Sequence, residues 1–424
     1  MILKIVRACS ELAESRCAEL KKRSLLWVNE HFSATSNAKS ANSEQALITQ
    51  IGLWGFASCI AFFAVTRNLD ACSSFFASNK TKVGGGYLAA NYDWQVKGGI
   101  VFSEPRGLKK TGFLPKKDFG QGSTKTKSWT SRYSSIVMTQ WGVGFPVQGM
   151  NEVGLSGVVL NGPAQYQSSD DSRSSVTELQ WLQMQLDLFE SIDEVSNHIN
   201  DSKIVKLSGD LHYMFCDASG ECMIVEFISG FPKITRKKAN NRFAITNSAL
   251  DFSLKSLEAF EDSFPDSLAH LPSTYRSIDR FIRASIWSDG DYLSPLPVFA
   301  KLINLSGVGM TQWHTVFDSA KREIFLMPFG SETYQKFLNS DFLQHCSQNA
   351  RAMRRIDSSI EADWQTYDHD WSTRLLARAS KNVPGYTTEN LALLSTYVES
   401  ETCSSDSRSA VANQVRPFAY VTQQ

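Results

Sequence analysis

The chain has 424 residues, 42% of them hydrophobic and 20% charged, which is enough apolar material for a large core and too much for a wholly disordered chain. Lys plus Arg and Asp plus Glu stand at 43 each, so no net field draws the protein to nucleic acid or to an anionic membrane surface, and a small neutral or amphipathic partner is expected. The eight cysteines have no CxxC spacing and the seven histidines no HExxH cluster, so no metal site and no cofactor is expected.

The first feature along the chain is the uncharged apolar run Ala46 to Thr66 (ALITQIGLWGFASCIAFFAVT). Its length suits a transmembrane helix or a generous signal-peptide core, and the small Ala71 just before Cys72 resembles a signal-peptidase exit. Cleavage there is expected, with a retained anchor as the alternative. Residues 1–45 carry both charge signs (Glu11, Glu14, Lys21, Lys22, Arg23) and are far longer than an ordinary n-region, so they read as an extended leader or as an upstream start that the cell does not use, with residues 1–71 together ahead of the mature chain.

From Val83 onward the pattern turns strand-rich. GGYLAANY, SSIVMTQW, GLSGVVLN, HYMFCD, CMIVEF, FAITN, WHTVFD and REIFLM are β-branched or aromatic runs bounded by Gly, Asn, Asp or Ser. Asp217 to Gly220 supply turn chemistry for a hairpin, across which Cys216 and Cys222 either oxidise or stay as two thiols. Asn151 and Glu152, flanked by Gly149 and Gly154, read as a tight turn rather than a reactive pair. Ser175 with Glu178 and Ser191 with Glu194 predict capping boxes at two helix starts. A third helix is expected over roughly Ser273 to Trp287, with Tyr275, Ile278, Phe281 and Ile282 facing a core and Arg276, Arg280 and Arg283 sharing the other side. Strands and helices do not alternate regularly, so an α+β layered domain is expected. After about Ser340 the sequence becomes polar and helical in pattern (Arg351, Arg354, Arg355, Glu361, Asp363), with a serine-rich stretch at Ser404 to Ser409. Residues 341–424 read as an appended extension to a domain at 72–340.

Cys72 carries the chemistry by its location. A cysteine at a new N-terminus has an α-amine of pKa ~8 within reach of its own thiol, so nucleophile and base come from one residue. Such a thiol also needs nearby positive charge or hydrogen bonds, and the amine needs a group to orient it.

Six segments occur in this order: Cys72-Ser73-Ser74-Phe75; Asn91-Tyr92-Asp93-Trp94; Pro105-Arg106-Gly107-Leu108-Lys109 with Trp129-Thr130-Ser131-Arg132-Tyr133; Gly149-Met150-Asn151-Glu152-Val153-Gly154-Leu155; Thr246-Asn247-Ser248; and Leu271-Pro272 leading to Asp279-Arg280-Phe281-Ile282-Arg283. Together they resemble the choloylglycine hydrolases and penicillin V acylases, in particular the Gram-negative branch. The resemblance implies a four-layer αββα sandwich of the N-terminal nucleophile hydrolase type. It implies Cys72 as nucleophile, Asp93 as the group holding the amine or sulfur, Asn247 and Asn161 at the oxyanion, and Arg280 as the cation that favours thiolate. Each also has a plain structural reading: a turn carboxylate for Asp93, a turn for Asn161-Gly162-Pro163, a solvated helix face for Arg280. Trp94, Trp141, Phe145 and Tyr166 are candidates to line an acyl pocket or are core. Where the family usually has an arginine, three positions before the aspartate, this chain has Ala90.

The expected activity is hydrolysis of a linear amide in a small N-acyl substrate of the penicillin V, conjugated bile salt or N-acyl homoserine lactone type, through a thioester. The mature protein is expected in the periplasm or secreted, membrane-bound only through its leader, and able to form a homo-oligomer. The rival readings are a tethered lipoprotein or degenerate homologue, because Leu69-Asp70-Ala71-Cys72 also resembles a lipobox, and an acid-ceramidase-like lipid amidase.

Overall fold

The structure is a computed structural model, and it describes residues 72–81, 85–114, 125–166, 172–207, 209–238, 242–306, 310–338, 346, 352–356, 364–381, 383, 386–397 and 402–403. Residues 1–71, expected as a leader with the apolar run at 46–66, and the serine-rich stretch at 404–409 lie outside these residues. Among the described residues no helix is long and apolar enough to cross a membrane.

In chain order the elements are β1 (Ser73–Ser78), β2 (Gly86–Asp93), β3 (Gly99–Glu104), β4 (Leu108–Thr111), β5 (Ser128–Thr130), β6 (Ser135–Thr139), β7 (Gln148–Asn151), β8 (Ser156–Asn161), β9 (Ser175–Thr177), α1 (Glu178–Leu188) and α2 (Ile192–Asn197). There follow β10 (Lys203–Val205), β11 (Leu211–Cys216), β12 (Cys222–Ile228), β13 (Phe231–Arg236), β14 (Ala244–Ile245), α3 (Leu250–Ser263), α4 (Ser277–Ser288) and α5 (Pro295–Leu305). The last are β15 (Thr311–Asp318), β16 (Glu323–Pro328), β17 (Gln335–Phe337), β18 (Ala352–Ile356), β19 (Gln365–Thr366), α6 (His369–Ala379), α7 (Thr388–Tyr397) and β20 (Thr402–Cys403).

Two antiparallel sheets dominate. One has the order β14-β1-β2-β15-β16-β17, the other β13-β12-β11-β8-β7-β6-β3-β18-β19. They face one another: Ser74 Oγ on β1 reaches Met214 Sδ on β11 at 3.4 Å, and Trp313 and Thr315 on β15 both donate to Gln148 Oε1 on β7. Helices α4 and α5 cover the outer face of the first sheet and α1 that of the second, which completes the four-layer αββα sandwich. Because both faces of the inner strands are covered, β11 and β15 are buried at every position instead of alternating. The edge strand β13, with Pro232 and Lys233, is only half-buried, as an unpaired edge requires.

Local signals place most elements. The hairpin forms at Asp217–Gly220, and Cys216 and Cys222 pair across it and are disulfide-bonded. The β7–β8 turn closes through Gly154, whose φ of +98° favours glycine, while Asn151 Nδ2 donates to Leu186 O and Phe189 O and Glu152 accepts from Ser134 N. Ser191 caps α2 by accepting from Glu194 N. The other capping box is shifted: α1 is capped by Thr177 with Gln180, since Ser175 is taken up by the parallel pairing of β9 with β10. Glu178 instead accepts from Leu207 N and Gly209 N.

Two expectations are corrected. Helix α4 begins at Ser277, leaving Tyr275 exposed instead of facing the core, while Arg280 and Arg283, expected on the other side of the helix, are buried too. After 340, where a helical pattern is expected, the described residues include strands as well as helices. Arg354 and Arg355 lie on a strand, β18, which pairs with β3 and extends the second sheet; Leu375 and Leu376 of α6 are buried in the core; and β20 pairs with β4, tied by a Cys346–Cys403 disulfide. A free edge on β3 supplies the reason, because strand pairing there satisfies backbone groups that local helical preference cannot.

A buried charge cluster ties together the segments around residues 104–110 and 129–133. Lys110 Nζ lies 3.3 Å from Glu104 and 3.0 Å from Asp187, all three fully buried, and Trp129 Nε1 donates to Asp187 Oδ2 at 2.7 Å. Replacing Lys110 by Met strands two carboxylates out of water. We expect Lys110→Met to lower unfolding free energy by about 3–5 kcal/mol in chemical denaturation, and a loss below about 1 kcal/mol would show the cluster to be dispensable.

Candidate active site

Cys72 sits immediately before β1 and is 5% exposed; among the described residues it is the free cysteine. The β1–β2 register, with Ser73 opposite Asn91, brings the start of one strand to the end of the other. Asp93 therefore meets Cys72: its main-chain N–H donates to Sγ at 3.4 Å, and Sγ lies 3.7 Å from its carbonyl oxygen. The Asp93 carboxylate accepts from Asn91 Nδ2 at 3.2 and 3.0 Å, and Asn91 Oδ1 accepts from Ser73 N at 2.7 Å. Asn91 thus locks the residue after the cysteine to the expected orienting carboxylate.

Arg280 projects from α4 beneath this start. Its Nη1 donates to Cys72 O at 2.6 Å and Ser73 Oγ at 2.7 Å, its Nη2 to Asn247 Oδ1 at 2.7 Å, and its Nε to Tyr275 O at 3.0 Å. A planar fork spreads its donors widely, which a lysine cannot do. Because Asn247 Oδ1 accepts from Arg280, the amide is oriented with Nδ2 outward, and Nδ2 donates to Asn161 O at 2.8 Å. An amide NH2 carries two hydrogens, so one remains for a substrate oxygen. Asn161 joins the cluster through its carbonyl; its side-chain Oδ1 lies beside Gly209.

The sequence pattern of the linear amide C–N hydrolases, choloylglycine hydrolase family, matches residues 72–291, more than half of the chain. The chain belongs to the choloylglycine hydrolase family. A penicillin V acylase from Pectobacterium atrosepticum is 29% identical over 199 residues, 43% of this chain and 50% of the relative, so the chain spans about half the length of the curated relative it matches. Penicillin V acylase from Agrobacterium tumefaciens superposes with a TM-score of 0.56 at 22% identity, over 70% of this chain and 98% of its own. Conjugated bile acid hydrolase from Clostridium perfringens does so with a TM-score of 0.53 at 19% identity, over 70% and 97%. These two likenesses are of fold.

Of the nine site candidates in this family member, Cys72, Asp93, Asn247, Arg280 and the main chain of Asn161 form one cluster. Trp94 and Trp141 meet edge to face at 5.2 Å, with Tyr386 5.1 Å beyond Trp141 and Trp94 Nε1 donating to Ala379 O at the end of α6. Phe145 lines, with Trp141, Ser372, Leu376 and Leu394, a cavity of about 20 Å³ under α6 and α7. Tyr166 is apart from these: its hydroxyl accepts from Leu211 N, and its ring packs on Phe227. Sequence reasoning missed Asn91 and Ser73. The available signal was Asn91 at two residues before Asp93, which in a strand places both side chains on one face.

At the position of the missing arginine, Ala90 is buried opposite Ser74 and Thr315, a neutral row. His314, across from Asn91, supplies no cation: burial lowers its pKa to about 3. An unfolded histidine binds a proton below about pH 6.5 that the folded one refuses until about pH 3. Its contribution to stability is therefore complete above pH 6.5 and is lost as pH falls toward 3. We expect His314→Gln to flatten the acid-side fall of unfolding free energy between pH 6 and 3.5 by up to about 1.4 kcal/mol per pH unit, measured by urea titration at several pH values. An unchanged slope would show that His314 does not titrate on unfolding.

Proposed function

We propose that the chain, cleaved ahead of Cys72, hydrolyses the linear amide of a small N-acyl substrate with Cys72 as N-terminal nucleophile. The observation that carries this is the Arg280 fork, which joins the Cys72 carbonyl, the Ser73 hydroxyl and the Asn247 amide into one rigid group. Membership of a linear amide C–N hydrolase family supports the same reading. The apolar run at 46–66 followed by Ala71 supports export and cleavage, and a periplasmic or secreted product.

In the proposed reaction the α-amine of Cys72 takes the thiol proton, and the thiolate attacks the amide carbonyl carbon. The carbonyl oxygen gains the electron pair and is met by Asn247 Nδ2–H, a fixed donor of a kind that commonly lowers such barriers by ~3 kcal/mol. The carbon–nitrogen bond breaks, the leaving amine takes the proton from the α-ammonium, and a thioester remains. Water then adds with the α-amine as base, the carbon–sulfur bond breaks, and acid and thiol are regenerated. The Trp94–Trp141–Tyr386 group beside Asp93 suits an aromatic or other apolar acyl group, such as the phenoxyacetyl of penicillin V.

A substrate panel of penicillin V, a conjugated bile salt, an N-acyl homoserine lactone and a lipid amide tests the assignment on protein beginning at Cys72. We expect hydrolysis of at least one, abolished in Cys72→Ala and reduced at least ~10³-fold in Cys72→Ser. Retained hydrolysis in Cys72→Ala would refute the mechanism. Mass spectrometry of the exported N-terminus should find a free cysteine; a diacylglyceryl adduct there would establish a lipoprotein, with the amine blocked.

A further inference from the structure

Behind Asn247 and Asn161 lies a second pair of ionisable side chains that the proposed reaction does not use. His212 on β11 is completely buried, and neither imidazole nitrogen has a hydrogen-bond partner among the described residues. Buried polar atoms of this kind are rare and call for a reason. Glu226 on β12, 2% exposed, has its Oε1 3.8 Å from His212 Nδ1. The two face each other across strands that continue the Tyr213–Val225 pairing.

Each member reaches one side of the Asn161–Asn247 contact. The His212 ring lies flat against Gly162: a methyl placed on that glycine would fall 2.4–2.6 Å from its ring atoms. Gly162 directly follows Asn161, the residue whose carbonyl accepts from Asn247. Glu226 Oε1 accepts from Leu250 N at 2.9 Å, the first residue of α3 and three residues after Asn247. A carboxylate at that end is favoured by the exposed N–H groups and dipole of the helix. Lys233, opposite Glu226 on β13, gives its ammonium to Asp251 instead. One cross-strand pair thus holds the end of β8 and the start of α3 at a fixed spacing, and these two segments carry the two asparagines.

We propose that His212 and Glu226 are positioning residues that hold Asn247 against Asn161, with its remaining N–H aimed where the oxyanion forms. The proposal rests on the reading of Asn247 as an oxyanion donor. An aimed donor matters far more to the transition state than to substrate binding, so loss of aim should fall on kcat. Glycine at 162 is explained at the same time, because any side chain there would displace the imidazole.

The test uses protein beginning at Cys72 and the best substrate of the panel above. We expect Glu226→Ala, His212→Ala and Gly162→Ala each to lower kcat at least tenfold with KM within about twofold. Glu226→Gln, which keeps an oxygen for Leu250 N, should recover most of the Glu226→Ala loss. None of them should lower kcat further in an Asn247→Ala background, since residues acting through one another are not additive. Alkylation of Cys72 by iodoacetamide, which forms no oxyanion, should proceed at the wild-type rate, and it selects the variants that keep the fold. Wild-type kcat in such variants, or their full effect persisting beside Asn247→Ala, would overturn the proposal. A wild-type protein that hydrolyses no amide would instead overturn the function on which it rests.

Discussion

A guanidinium that is 1% exposed has to be fully engaged, and Arg280 meets that demand with four donated hydrogen bonds to acceptors on three different segments. The start of β1, the loop after β14 and the entry to α4 are fixed relative to one another because each must supply an oxygen to the same charge. The site follows from this constraint. Cys72 is held through its carbonyl, which leaves its sulfur to the main chain of Asp93, and Asn247 is held through its oxygen, which leaves its nitrogen to donate. Arginine here orients its neighbours through main-chain and side-chain oxygens, a wider task than the thiolate-favouring cation that the family resemblance implies.

The sandwich makes such a constraint affordable. With helices outside and a second sheet inside, the inner strands are out of water on both faces, so a mis-set polar group at the strand ends would cost several kcal/mol and the register is held tightly. The same dryness raises the stakes for the charges it contains. Lys110 lies between Glu104 and Asp187, a cluster in which the lysine and the carboxylates are tolerated because the opposite charge is present. His314, with no acid opposite, keeps its place by remaining neutral.

The C-terminal segment changes the picture of the acyl side. Ala379 at the end of α6 accepts from Trp94, and Tyr386, between α6 and α7, lies near Trp141, so the part of the chain beyond the family match contributes to the surroundings of the candidate pocket. The Cys346–Cys403 bridge and the pairing of β20 with β4 anchor it at Thr402 and Cys403. Its polar, helical pattern suggested an appendage. Composition alone could not reveal that an open edge at β3 was waiting for a strand.

How much the sequence determined varies with the range of the interaction. Strand runs, the 217–220 hairpin, the Gly154 turn and the cysteine after a leader-like run are local, set by periodicity, turn chemistry and position, and they were legible residue by residue. The ordered motif segments also pointed to Cys72, Asp93, Asn247 and Arg280. Tertiary structure alone decided that Arg280 and Arg283 are buried, that Thr177 and not Ser175 caps α1, that Asn161 meets Asn247 through its carbonyl, and that Asn91 bridges Ser73 to Asp93. Arg280, Asn161 and Asn91 each meet a partner 18 to 208 residues away, Arg283 bonds carbonyls 9 and 11 residues back, and Ser175 lies in the strand pairing of β9 with β10. A chain read one position at a time records which residues can donate or accept, and only the closed sandwich decides which of them meet.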